Sequence, residues 1–260
     1  MKSPKIELCH VGKHFRDPNG ETRTVLTGVN LEIAAGDFLC LLGPSGCGKT
    51  TLLNLMAGFE RSTEGELRID GQLVSGPHPR HITIFQDYGL FPWRTVLDNV
   101  TFGLEAKGVG AREAREMAEK QLELVGLRDV AGRFPHQLSG GMKQRVSIAR
   151  ALAVEPDILF MDEPFAALDA FTRFRLQEEI LHLWREKGPT IIFVTHDIDE
   201  AVYLGRRIAI MSPDPGRITT VLDVELARPC ERTSPDFLHS RRKVFQAFRV
   251  VHETAPEYAI

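Results

Sequence analysis

The chain has 260 residues, 43% hydrophobic and 26% charged, which excludes a disordered or low-complexity protein. Its 32 basic against 35 acidic side chains leave a formal net charge of −3, the wrong sign for a nonspecific nucleic-acid binder that neutralises phosphates. No apolar run approaches the roughly 18 residues of a membrane span. The length fits one large domain, or a core with a smaller inserted subdomain. The start, Met1-Lys2-Ser3-Pro4-Lys5, lacks a signal-peptide stretch, and Cys9, Cys40, Cys47 and Cys230 show no C-x-x-C spacing for zinc or a disulfide framework. These features predict a soluble, reduced, cytosolic chain.

The N-terminal third reads as strand. A turn at Asp17-Pro18-Asn19-Gly20 precedes Val29–Ile33, which alternates apolar and polar residues as a sheet with one wet face does. Leu39–Leu42 is different in kind, a continuous apolar run of a strand buried on both faces. A helix pattern (Leu52, Leu53, Leu55, Met56) follows it, then Glu66–Ile69, a hairpin signal at Asp70-Gly71, and Leu73–Val74. These alternating pieces predict a small antiparallel layer. Ile82–Phe85 is another strand, ending at Gln86. Residues 87–153 read as mostly helical, with Ala118, Leu122 and Val125 on one face of Ala111–Val125 and Glu116 paired to Lys120. Ile158–Met161, Ile191–Val194 and Ile208–Met211 are again continuous apolar runs, separated by an amphipathic helix from about Thr172 to Lys187 that Gly188-Pro189 ends. Ser234-Pro235-Asp236 caps a final helix, for which Leu238, Phe245 and Phe248 are the expected apolar face. Residues 228–249 hold six basic and two acidic groups, read as a solvated helix face. The fold class predicted is α/β: a mostly parallel sheet, an N-terminal antiparallel β layer and an inserted helical subdomain.

Between the first buried strand and the helix after it lies Gly43-Pro44-Ser45-Gly46-Cys47-Gly48-Lys49-Thr50-Thr51. This is the G-x-x-x-x-G-K-[ST] phosphate loop in its required setting, so the core is read as a P-loop NTPase. Glycines let amide groups converge on phosphate oxygens, and the helix N-terminus adds a fixed positive end. Lys49 would reach the β- and γ-phosphates and the Thr50 hydroxyl would ligate Mg²⁺, making ATP and Mg²⁺ the expected cofactors. Cys47 is read as a loop filler that is incidentally reactive, since Lys49 and the helix start favour its thiolate. Ile158–Met161 ends in Asp162-Glu163. Asp162 suits the metal's ligand sphere, with Gln86 as a further ligand that also touches water, and Glu163 is placed to polarise an attacking water. His196 follows the next buried strand and therefore falls on the same carboxyl edge.

Leu138-Ser139-Gly140-Gly141-Met142-Lys143-Gln144-Arg145, taken in order with Gln86, Asp162-Glu163, Ala167-Leu168-Asp169 and His196, resembles the ATP-binding subunits of ABC transporters over nearly the whole chain. The resemblance implies a head-to-tail dimer of this chain with a second copy or a homologous subunit. Ser139, Gly140, Gly141 and Gln144 of one subunit would complete the other's nucleotide site, with Asp169 in a dimer loop. It further implies that Phe15 stacks on adenine with Val25 nearby. Leu90-Phe91-Pro92-Trp93, Asp169-Ala170-Phe171-Thr172-Arg173 and Pro213-Asp214-Pro215-Gly216-Arg217 look like the importers of nitrate, sulfonates and taurine. In those, Phe91, Pro92 and Trp93 would face a cytoplasmic helix of the transmembrane permease; ordinary packing of Trp93 is the other reading. A separate solute-binding protein would choose the cargo, nucleic acid would play no part, and the subunit would sit peripherally on the cytoplasmic face of the membrane. The implied division is 1–86 with 154–226 as nucleotide-binding core, 87–153 as helical insertion, and 227–260 as C-terminal tail. A soluble ABC ATPase would bring fused cassettes or long heptads, and a small P-loop kinase would replace the Ser139 segment. An importer motor for a different small solute stays open.

Overall fold

A computed structural model, which describes residues 3–16 and 19–253, sets the continuous apolar runs side by side in one sheet. Asp17 and Pro18 of the predicted turn and residues 254–260 of the tail lie outside the described residues. In chain order the elements are β1 (Ile6–Arg16), β2 (Thr22–Ile33), β3 (Phe38–Leu42), α1 (Lys49–Ala57), β4 (Glu64–Ile69), β5 (Gln72–Leu73) and β6 (His81–Ile84). Then come α2 (Val96–Ala106), α3 (Ala111–Leu124), α4 (Gly140–Ala153), β7 (Ile158–Asp162), α5 (Ala170–Lys187) and β8 (Thr190–Thr195). The chain continues through α6 (Ile198–Leu204), β9 (Arg207–Ser212), β10 (Arg217–Asp223) and α7 (Pro235–Glu253).

The main sheet has the order β10-β9-β3-β8-β7-β6, parallel except for the antiparallel edge strand β10. Its central strands are apolar at every position because the two-residue period feeds two separate cores. Phe38, Cys40 and Leu42 of β3 face one side with Phe193 and Ile210, packed against the helices. Leu39 and Leu41 face the other with Ile192, Val194 and Met211, against α1 and the second sheet. That second sheet, β2-β1-β4-β5, is antiparallel throughout. Its β4–β5 turn carries φ 50° at Asp70 and 76° at Gly71, the left-handed pair that a tight hairpin requires. Helix α1 lies between the layers, with Leu52, Leu53, Leu55 and Met56 all buried. Each such side chain contributes about 1.5–3 kcal/mol by leaving water. The layers thereby hold the loop before α1 rigidly in place.

Helices α2, α3 and α4 are inserted between β6 and β7 and pack on one another. Ala114, Ala118, Leu122 and Val125 form the buried stripe of the α3 region. Glu116 pairs back to Arg112 at 3.0 Å in place of the expected Lys120. The tail corrects a sequence expectation. Leu238 and Phe245 lie on the exposed side of α7, and its buried stripe is Phe237, Val244 and Val251, with Phe248 partly covered. One residue of phase rotates a helix face by about 100°, and only packing against α6 and β9 selects the phase. Nor are all the basic groups solvated: the Arg228 guanidinium donates to the carbonyls of Val202, Tyr203 and Gly205.

Candidate active site

The strand β3 delivers the loop Gly43–Gly48, and α1 begins at Lys49. Gly48 makes the transition at φ 91°, and a Cβ there would come within 2.7 Å of Leu26 Cδ2, so only glycine fits. Lys49 is 6% exposed, and its Nζ donates to the carbonyl oxygens of Gly43 and Pro44, each at 2.8 Å. The ammonium thus sits within the loop, while Ser45, Gly46 and Thr50 are exposed. A second glycine braces this loop from far along the chain. Gly216, in the β9–β10 turn, donates its N–H to Val25 O at 2.9 Å and accepts from Thr27 N at 3.0 Å. A Cβ on Gly216 would lie 2.1 Å from Cys47 O. From sequence alone Pro213–Arg217 reads only as a branch signature; the lone glycine among prolines is the signal for close backbone approach.

Cys47 is 1% exposed, and burial pushes its thiol pKa up, outweighing the nearby Lys49 ammonium. This overturns the reading of an incidentally reactive thiolate. In the native protein iodoacetamide is expected to label the exposed Cys9 well before Cys47, with Cys47 reacting fully only after denaturation. Peptide mass spectrometry checks this; Cys47 labelling as fast as Cys9 in native protein would return it to the reactive class.

Because β3, β8, β7 and β6 run parallel, their carboxyl ends bring the loop, His196, Asp162-Glu163 and Gln86 to one edge. Asp162 is 6% exposed, and the Thr50 side chain favours its charged form. Burial holds its carboxyl above the usual carboxylate range; Glu163 adds to the rise, while Thr50 and Lys49 oppose it. Glu163 adopts φ 45°, a strained conformation for a glutamate that costs on the order of 1–3 kcal/mol. Its N–H donates to Val194 O at 3.1 Å, and its Oε1 lies 3.1 Å from Nδ1 of the exposed His196. Gln86 is exposed just past β6. Thr50 hydroxyl, Asp162 carboxylate and Gln86 amide are hard oxygen donors, and a cation would offset the crowding of Asp162 with Glu163. These residues fit Mg²⁺.

Ser139 caps α4, its Oγ accepting from Met142 N at 3.3 Å, and Asp169 caps α5 by accepting from Thr172 N at 3.0 Å. Such caps contribute about 1 kcal/mol each. The atoms nearest a side chain at Gly140 or Gly141 are the Tyr88 hydroxyl and the Ala167 carbonyl of the same chain. Gln144 differs from its neighbours. It is 2% exposed, with its Nε2 buried and unpaired, so its side chain does not reach the surface that Ser139 presents. This corrects its assignment to a contact with a second subunit, because five positions after Ser139 the helix has turned by about 140° and carries that side chain inward. Phe15 on β1 is 37% exposed, with the Lys13 ammonium 4.6 Å from its ring centroid, and Val25 on β2 is half-buried beside Gly48.

On the flank of β6 and α2 lies an apolar groove of about 400 Å³, lined by Phe59, Ile82, Phe85, Phe91, Phe102 and Val154. Phe91 is in it; Pro92 is exposed, and Trp93 is 72% exposed with its ring 5.6 Å from that of Phe91. Trp93 therefore does not take the ordinary packing role. Phe59, Phe85 and Phe102 were missed in the sequence because isolated phenylalanines read as core.

A family model described as ABC transporter matches residues 26–166, from β2 through the segment after Glu163. The chain belongs to the ABC transporter family. An uncharacterised ABC transporter ATP-binding protein of Methanocaldococcus jannaschii is 50% identical over 94% of this chain and 91% of its own length. An aliphatic sulfonates import ATP-binding protein of Bacillus cereus is 44% identical over 94% of this chain and 95% of its own. Among solved structures, a dimeric ATP-binding cassette in a post-hydrolysis state bound to ADP and Pi has a TM-score of 0.78 at 34% identity, covering 85% of this chain and 100% of that one. The ABC chain is thus an ATP-binding ATPase of the P-loop NTPase fold. Among its described residues no helix is long and apolar enough to cross a membrane.

Proposed function

We propose that this ABC ATPase is the motor subunit of an importer for a small solute, with an anion such as a sulfonate, taurine or nitrate as cargo. The observation that carries the reading is the exposed apolar groove beside Gln86. It has the dimensions and the aromatic lining to seat a short helix of a transmembrane permease, next to the γ-phosphate edge of the site. The likeness to the sulfonate import protein over nearly both full lengths supports the cargo class.

In this reading the amides of Gly43–Gly48 and the ammonium of Lys49 hold the phosphates of ATP, with Thr51 closing the motif and Phe15 and Val25 bordering adenine. Thr50, Asp162 and Gln86 hold Mg²⁺, which when bound neutralises phosphate charge. Glu163 takes a proton from the attacking water, and His196 both orients the Glu163 carboxylate and contacts the γ-phosphate. Ser139, Gly140 and Gly141 approach the nucleotide of a second copy, with Asp169 at the interface. Phe91, Pro92 and Trp93 line the permease contact. Residues 1–86 and 154–226 act as the core, 87–153 as the moving helical unit and 227–260 as the tail, at the cytoplasmic face of the membrane. A separate binding protein delivers the solute.

Phe59→Asp tests the central point, because Phe59 is 47% exposed and its replacement leaves the core intact. Co-expressed with its permease, the variant is expected to lose association about tenfold or more while binding ATP normally. Wild-type recovery of the permease with Phe59→Asp would sink the groove assignment. Uptake of taurine and nitrate into vesicles carrying the complete system then separates the cargo alternatives.

A further inference from the structure

The roles proposed for Glu163 and His196 leave unexplained a buried carboxylate behind them. Glu200, on α6, is 8% exposed and lines the same small cavity, about 120 Å³, as Glu163, His196 and Arg173. Its partners are all donors. Thr195 Oγ1 donates to Glu200 Oε2 at 2.7 Å, and Gln177 Nε2 donates to Oε1 at 3.2 Å. The Arg173 Nε is 3.9 Å from Oε1, close enough for charge attraction.

The direction of each bond is set by its neighbour. Arg232 can only donate, and it donates to Gln177 Oε1, so the Gln177 amide must turn its Nε2 toward Glu200. Arg232 is itself held by the Tyr203 ring, 3.7 Å from its guanidinium carbon to the centroid. At the other end the Thr195 hydroxyl has a single proton, which goes to Glu200. Its oxygen is then left to accept, and it accepts from Asp197 N at 3.0 Å. The Asp197 carboxylate in turn accepts from the N–H groups of Asp199 and Glu200 at 2.7 and 3.1 Å. His196 is the residue between Thr195 and Asp197. Both of its flanks are therefore tied to one buried carboxylate.

We infer that Glu200 is a positioning residue for hydrolysis: through Thr195 and Asp197 it holds the His196 imidazole at Glu163, and through Gln177 and Arg232 it ties that loop to the segment leading into the C-terminal helix. The inference rests on the roles given above to His196 and Glu163. Glu200 touches neither nucleotide nor water in this scheme, and its effect passes entirely through the histidine.

Steady-state MgATP hydrolysis by the full chain tests it, comparing Glu200→Ala, Glu200→Gln, Thr195→Val, His196→Ala and the double variant Glu200→Ala with His196→Ala. Loss of the clamp lets the imidazole drift, so Glu200→Ala and Thr195→Val are expected to lower kcat about 10- to 100-fold with KM for MgATP within about twofold. Glu200→Gln keeps an amide oxygen for the Thr195 hydroxyl but sets its Nε2 against the Gln177 donor, so it is expected to recover part of the rate, above that of Glu200→Ala. In the His196→Ala background, Glu200→Ala should add no further loss. Wild-type kcat in Glu200→Ala, a Gln variant no better than Ala, an effect on KM alone, or additivity in the double variant would each overturn the inference. If Glu200→Ala does not fold, Thr195→Val, which preserves volume, carries the same comparisons. Wild-type kcat in His196→Ala would instead overturn the roles assigned to the site itself.

Discussion

Glu163→Gln is expected to bind MgATP as tightly as the wild type and to hydrolyse it about 10²–10⁴-fold more slowly, the usual cost of removing a positioned base. The geometry separates the two effects. Glutamine has the same shape, its backbone can still donate to Val194 O, and its amide can still meet His196 Nδ1, so the loop should keep its strained turn. What disappears is the charge. That loss also acts on Asp162, whose carboxyl is raised first by burial and then by the Glu163 carboxylate. Without Glu163's charge one cause of the upward shift at Asp162 is gone, its charged form is favoured further, and a divalent cation is held no less well. Binding of a fluorescent ATP analogue alongside phosphate release measures both halves. Normal phosphate release in Glu163→Gln would remove Glu163 from the base role.

Lys49→Ala and Gly140→Asp should each inactivate the ATPase alone and restore activity to one another when mixed, if the Ser139 segment serves a second copy's nucleotide. The first change removes a buried ammonium that sits in the phosphate loop. The second puts a carboxylate beside the Tyr88 hydroxyl at the start of α4, where negative charge suits the helix but repels a facing γ-phosphate. Mixed dimers then hold one doubly damaged and one intact composite site. An equal mixture should reach at most about a quarter of the wild-type rate if the sites work independently. A mixture as inactive as its parents would leave the Ser139 segment without a nucleotide role in trans, provided that exchange is verified by tagging. Cross-linking offers a physical check, but the buried Cys47 cannot serve as the reporter. Ser45→Cys, at an exposed loop position, paired with Ser139→Cys in the Glu163→Gln background, is the usable combination. The bond should form between chains and only with ATP.

The legibility of this protein was uneven for definite reasons. Continuous apolar runs at β3, β7, β8 and β9 announce strands buried on both faces, and parallel packing follows from that. Strand β10, Arg217–Asp223, passed unnoticed because an edge strand is half wet and its alternation is irregular. Strand β1 was visible only in part, since it breaks register between Leu8 and Val11. The α7 stripe was misphased by one residue, as both phases offer three or more large apolar side chains.

The phosphate loop, the Asp162-Glu163 pair, His196 and the order in which they occur are properties of the sequence. Each depends on a strand, a turn and a helix adjacent in the chain, so short-range chemistry specifies it. Burial and close approach are different quantities, because they depend on atoms brought from far along the chain. Cys47 is an inert thiol since the layers around α1 close over it, and Gly216 must be glycine since a carbonyl more than 160 residues away in the chain lies where a Cβ would sit. The turn of α4 hides Gln144 while exposing Ser139, and four phenylalanines, one after α1, two in the segment between β6 and α2 and one on α2, become one groove. The bond chain from Arg232 to Thr195 likewise exists only where α5, α6 and the C-terminal segment meet, since the direction of each hydrogen bond is set by a partner on another element.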